Sequence, residues 1–100
     1  MPIIDKPSYV YILASRPYGT LYIGSTTDLV KRVWQHREEF LACFTSQYHV
    51  HTLVWYELHY SLDSAAMREK ALKKFKRPWK IDLICKSNPT WRDLYSDFTA

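Results

Sequence analysis

Residues 8–24 read SYVYILASRPYGTLYIG, and this stretch restricts the fold more than any other part of the chain. Two runs rich in aromatic and β-branched residues flank Arg16-Pro17-Tyr18-Gly19. Proline at the second turn position and glycine at the fourth are the pattern of a type I turn. The spacing predicts an antiparallel hairpin with strands at Ser8–Ala14 and Thr20–Gly24. A hairpin centred on that turn sets Tyr11 opposite, or nearly opposite, Tyr22, and directly opposed side chains share one face of the sheet. Val10, Ile12, Leu21 and Ile23 then point to the other, more apolar face, which leaves the two tyrosines for something besides core packing.

The hydroxyl-rich run after the second strand leads into a helix. Thr26, Thr27 and Asp28 are helix-start residues, and Leu29, Val33, Phe40 and Leu41 form an apolar stripe at helical spacing. Arg32 and His36, four residues apart, project from one face of that helix. Gln47 to Tyr60 alternates as a third strand, with Leu53 and Trp55 on one side and Val54, Tyr56 and Leu58 on the other. Asp63 and Ser64 begin a second helix that runs to about Lys76. Pro78 suits the first turn of a third helix, Trp79 to about Lys86, which Asn88-Pro89 interrupts. Trp91 to Phe98 is aromatic enough to pack back onto the body. The expected fold is a small α/β (α+β) domain, an antiparallel three-stranded sheet flanked by helices in the order β-β-α-β-α-α.

One hundred residues with 47% apolar and 16% aromatic content suit one compact core. No stretch approaches the roughly 18 uninterrupted apolar residues of a membrane span, and Met1 to Lys6 lacks the order of a signal peptide, so a cytoplasmic protein is expected. Cys43 and Cys85 are isolated, which argues against a disulfide framework or a cysteine-rich zinc site and for small buried apolar roles. The net charge of +4 is unevenly spread. The window REKALKKFKRPWK, Arg68 to Lys80, holds seven cations against one acid, while the rest of the chain holds seven cations against nine acids. Such a concentration, interleaved with Phe75 and Trp79, is the electrostatic footprint of a phosphate-rich partner.

Several polar residues exceed what a core needs. Glu69 projects at the edge of the apolar stripe of the second helix, between Leu62, Ala65 and Leu72 on one side and Ala66 and Lys73 on the other. Its bland explanation is a salt bridge with Lys73 or Arg68. Its functional one is a divalent-metal ligand, because Mg²⁺ uses one or two carboxylates and fills its other positions with water and substrate phosphate. Tyr11, Tyr22, Arg32 and His36 each have an ordinary structural reading. Together with Glu69 they offer cations for phosphate charge, groups that move protons and a metal ligand, a set suited to phosphoryl transfer. His49 and His51 share a strand face but lack a third ligand for zinc. The chain has neither a G-x-x-x-x-G-K-[ST] phosphate loop nor a G-x-S-x-G nucleophile elbow.

Tyr9-Val10-Tyr11 followed by Tyr22-Ile23-Gly24 resembles the signature of the GIY-YIG nuclease superfamily. Arg32 and His36 match its helical Arg-x-x-x-His, Glu69 its metal glutamate and Asn88 its late asparagine. Trp79 to Ile84 and Asn88 to Leu94 look like the ending of the small single-domain bacterial branch, and Tyr9 stands where the motif's name has glycine. The resemblance covers residues 8–94 as a nuclease domain, with 1–7 and 95–100 as terminal extensions. It implies a metal-dependent endonuclease that hydrolyses DNA phosphodiesters with Mg²⁺ or Mn²⁺, in DNA repair or recombination.

In that mechanism Tyr11 positions or deprotonates the attacking water, Tyr22 and His36 support the proton network, and Arg32 stabilises the phosphate. Glu69 holds the metal and Asn88 orients groups around the site. Gly24 permits close approach at the bend between strand and helix. Lys31, Lys73, Lys74, Lys76, Arg77 and Lys80 are the expected nucleic-acid contacts. Many members attach a separate DNA-binding domain, so target choice here is expected to involve a protein partner. The alternative is a non-catalytic nucleic-acid-binding module that keeps the fold and the basic helix.

Overall fold

The structure is a computed structural model that describes residues 7–38 and 48–99. Phe40, Leu41, Cys43 and Gln47 lie outside the described residues. The elements are β1 (Ser8–Ala14), β2 (Leu21–Thr26), α1 (Leu29–Arg37), β3 (Thr52–His59), α2 (Leu62–Lys73), α3 (Arg77–Ser87) and a single turn, α4 (Ser96–Thr99). The strands form one antiparallel sheet in the order β2-β1-β3. The expected α+β order is present, with the aromatic tail adding the last short helix. Among the described residues no helix is long and apolar enough to cross a membrane.

The turn differs in type from the expectation. Gly19 N–H donates to the Arg16 carbonyl at 2.9 Å, as any such turn requires. Tyr18, however, has φ of +59°, which a type I turn does not contain and a type II turn requires at its third position. The register also moves: Tyr11 lies opposite Gly24, and Tyr22 opposite Leu13. Because the shift is by an even number of residues, the assignment of faces survives it.

Both faces are covered. Val10, Ile12, Ala14 and Ile23 pack with Ala65 and Leu72 of α2, Ile84 of α3 and Trp91. On the other side Tyr11 and Leu13 pack with Leu29 and Val33 of α1 and with Val50 and Leu53, flanked by Leu94, Tyr95 and Phe98 of the tail. Each fully buried aliphatic side chain here contributes about 1.5–3 kcal/mol. The tyrosine face is therefore a second core, where the sequence suggested an open surface.

The third strand begins at Thr52, later than expected, because His49 takes a left-handed φ of +53° that ends any extended run before it. Its alternation is also interrupted. Ile12 pairs with Trp55 but Leu13 pairs with Leu53, so Val54 is an extra residue in the ladder. This bulge puts Val54 and Trp55 in one cluster and Leu53 and Tyr56 in the other, separating Leu53 from Trp55.

Local caps explain the helix ends. Asp28 accepts from Lys31 N–H at 3.2 Å and Ser61 from Ser64 N–H at 3.1 Å, each satisfying an orphan donor. α2 ends at Lys73, short of Lys76, and α3 starts at Arg77 with proline in its first turn. Asn88 closes α3 and is buried. Its amide donates to the Val54 carbonyl at 3.1 Å and the Arg92 carbonyl at 2.9 Å, while its oxygen accepts from Arg92 N–H at 3.2 Å.

Candidate active site

The site forms along β2, an outer strand of the sheet. Gly24 faces Tyr11 across the ladder, and with no side chain there the Tyr11 phenol lies over the glycine. A Cβ at Gly24 would stand 2.5 Å from the Tyr11 hydroxyl. The role of this glycine is space, since its φ is not positive. The hydroxyl meets His36 Nε2 at 3.2 Å, with His36 brought in by α1. The Tyr22 ring lies 5.3 Å from the His36 ring and 6.3 Å from the Tyr11 ring, centre to centre. Arg32, one helical turn before His36, lies near enough for its charge to act on the Tyr11 hydroxyl. The phenol can donate to His36 or accept from it, depending on which ring nitrogen carries the proton.

Burial governs the protonation of this group. Tyr11 is 1% exposed, and desolvation, reinforced by Tyr22 and Glu69 and opposed by Arg32, holds its hydroxyl well above the usual phenol range. At neutral pH it is a hydrogen-bond donor, not a ready base. Burial, with Arg32 and then His51 adding to it, lowers the His36 pKa to about 4. The ring is therefore neutral at pH 7, and with its own proton on Nδ1 it can accept the Tyr11 proton at Nε2.

This has a measurable consequence. Above about pH 7 His36 is neutral in folded and unfolded chains alike, so it gives stability no slope. As pH falls below the ordinary value of 6.5, the unfolded chain takes up a proton that the folded chain refuses until about 4. Stability should drop across that window, by roughly 3 kcal/mol at its lower end. Urea midpoints of wild type and His36→Gln at pH 7.5 and 4.5 check this: the wild type should lose distinctly more than the variant. Equal losses would remove His36 from the acid response.

Glu69 approaches β2 from the opposite face of the sheet, on α2. Ser25, next to Gly24, donates its hydroxyl to Glu69 Oε1, and Lys73 Nζ lies 2.7 Å from Oε2. Desolvation pushes this carboxyl up, but the Lys73 and Ser25 hydrogen bonds and the Lys73 charge outweigh it and leave it below the usual range. The Lys73 alternative considered for this glutamate is thus present, whereas Arg68 pairs with Glu57 at 3.1 Å. Glu69 still belongs to the tyrosine cluster electrically, because its charge raises the Tyr11 pKa.

The cations divide by task. Lys31 and Arg32 line a cavity of about 330 Å³ with Thr26, Thr27, Asp28 and Gln35. Lys73 and Lys80 line another, of about 260 Å³, with Leu21, Tyr22 and Ile23. Lys74 and Lys76 are exposed. Arg77 is exposed, and its Nη2 donates to the Tyr18 and Gly19 carbonyls at 2.6 and 2.7 Å, tying α3 to the hairpin turn. Asn88 is committed to the backbone of β3 and the tail, so it is placed as a brace on the strand beside β1. Ser25 was not singled out from the sequence, although the hydroxyl run after Gly24 was its signal. His49 and His51 stack edge to face at 6.0 Å, and among the described residues no three His, Cys, Asp or Glu gather as a metal site.

Residues 7–82 match the model of the GIY-YIG catalytic domain. The chain belongs to the GIY-YIG family. This GIY-YIG protein is 32% identical over 95 residues to a UPF0213 protein of Streptococcus pneumoniae serotype 4, covering 95% of this chain and 93% of that one. It is 37% identical over 83 residues to a UPF0213 protein of Syntrophus aciditrophicus, covering 82% and 93%. Its fold is similar to the solution NMR structure of a UPF0213 protein from Bacillus halodurans, with a TM-score of 0.54 and 28% identity over 87% of this chain and 92% of that one. The GIY-YIG family is a nuclease family, and the residues gathered at β2 include both tyrosines of the signature.

Proposed function

We propose that this GIY-YIG protein is an endonuclease that hydrolyses DNA phosphodiesters with a divalent cation, Mg²⁺ or Mn²⁺. The observation that carries this reading is the Tyr11 hydroxyl hydrogen-bonded to His36 within the fields of Arg32 and Glu69. A hard cation fits the donors present: the Glu69 carboxylate already holds one cationic group, the Lys73 ammonium, beside the Ser25 hydroxyl. Glu69 would hold the ion, with water and substrate phosphate filling its other positions. The ion would supply charge neutralisation at the phosphate and leaving oxygen.

The chain's own residues do the remainder. Arg32 adds positive charge at the phosphate, Tyr11 positions the attacking water, and neutral His36 accepts the Tyr11 proton as charge builds. Tyr22 closes one side of the pair. Asn88 acts as a positioning residue through β3. Lys31, Lys73, Lys74, Lys76, Arg77 and Lys80 attract the DNA backbone. A role in DNA repair or recombination in the cytoplasm belongs to the same proposal.

The second reading, a non-catalytic nucleic-acid-binding module, draws on one feature: both Glu69 oxygens are engaged by the chain's own Ser25 and Lys73. Cleavage assays on flap, branched, nicked and single-stranded DNA with Mg²⁺ or Mn²⁺ separate the two. Wild type should cut at least one substrate, and folded Glu69→Gln should lose about 100-fold or more while binding DNA at least as tightly. Undiminished cleavage by that variant would defeat the metal assignment. Failure of wild type on every substrate would favour the binding module.

A further inference from the structure

We propose that Lys73 gates the metal carboxylate: it holds Glu69 in the resting protein and releases it when a nucleic-acid phosphate takes the ammonium, so that cation and nucleic acid bind as a pair. This rests on the proposed use of Glu69. Lys73 Nζ contacts Oε2 at 2.7 Å while the Ser25 hydroxyl donates to Oε1, so each oxygen already accepts one hydrogen bond. Among the described residues no cluster of three His, Cys, Asp or Glu offers an ion further anionic ligands. An ion arriving alone therefore has one carboxylate to bind and meets the Lys73 positive charge beside it.

Lys73 is also placed to leave. It is the last residue of α2, its side chain is 54% exposed, and it lines the β2 cavity with Tyr22 and Lys80. A phosphate bound beside Tyr22 attracts the ammonium, and the same phosphate brings oxygen ligands for the ion. Each ligand then strengthens the other by the same factor. Free metal is held weakly, which confines the loaded state to protein on nucleic acid.

The test uses Lys73→Met, which keeps the aliphatic stem, and the near-isosteric Glu69→Gln. Mn²⁺ binding to DNA-free protein, read by electron paramagnetic resonance, should be weak for wild type and about tenfold tighter for Lys73→Met. A neighbouring unit charge shifts a carboxylate's proton affinity by one unit or more, and a divalent ion feels it at least as strongly. In EDTA, affinity for a short duplex measured against salt should be higher for Glu69→Gln than for wild type. Its log–log slope should steepen by about one, because the freed Lys73 neutralises another phosphate. Adding Lys73→Met should cancel that gain.

Unchanged Mn²⁺ affinity in Lys73→Met, or identical salt slopes for wild type and Glu69→Gln, would overturn the gate. Neither readout uses cleavage. A protein that shows both shifts but cuts nothing keeps the gate and loses the nuclease reading. An active enzyme showing neither shift keeps the nuclease reading and loses the gate.

Discussion

Gly24→Ala should cut cleavage by 100-fold or more while costing the fold only about 1–3 kcal/mol, the usual cost of one methyl forced into a packed site. The added Cβ would stand 2.5 Å from the Tyr11 hydroxyl, 2.7 Å from its ring carbon Cζ and 3.1 Å from Tyr22 Cε1. The phenol must give way, and it is buried against α1. Moving it takes the hydroxyl away from His36 and from the Arg32 charge, so the chemistry suffers more than the fold. Urea unfolding and cleavage on one preparation check the two effects. Wild-type cleavage by a folded Gly24→Ala protein would show that this hydroxyl position is not needed.

Tyr11→Phe should lose cleavage by about 10²–10⁴, the range for a positioned proton-transfer group. The ring keeps its place among Leu29 and Val33, so packing changes little. What disappears is the hydroxyl that hydrogen-bonds His36 Nε2 beside the Arg32 charge. Losing that buried hydrogen bond should cost about 1–3 kcal/mol. Single-turnover rates at saturating protein separate the chemical effect from DNA affinity, which should stay within a few-fold of wild type. A rate close to wild type would leave the site without its central group.

Much of this arrangement is legible in local patterns. Period-two and helical spacing give the element order, and the even register shift leaves both tyrosines on one face. The i,i+4 spacing of Glu69 and Lys73 makes their pairing visible before any coordinates. Other features depend on partners far along the chain. The burial of Tyr11 follows from its pairing with Gly24, which depends on the turn type, and Tyr18 adopts a backbone conformation that its residue type disfavours. The Val54 bulge changes the phase of β3 through contacts with β1. Arg77 serves the hairpin turn and Asn88 serves Val54 through bonds spanning 58 or 59 and 34 residues. No local periodicity encodes such bonds.

The tail that follows Asn88 bears on self-association. β3 is the sheet's other outer strand, and an uncovered strand edge is a template for another chain. Here the outward groups of Leu53 are already taken: its N–H donates to Asp93 Oδ1 at 3.3 Å and its carbonyl accepts from Leu94 N–H at 2.8 Å. Asp93 is fastened in turn to Arg37 of α1, and the Arg37 guanidinium lies 4.8 Å from the Tyr95 ring centre. At the opposite edge β2 is flanked by Lys73 and Lys80, and an incoming strand there would have to desolvate like charges. One edge is blocked at Leu53 by the chain's own tail and the other is defended by cations, so among the described residues the sheet has three strands while β2 stays accessible to a polyanion.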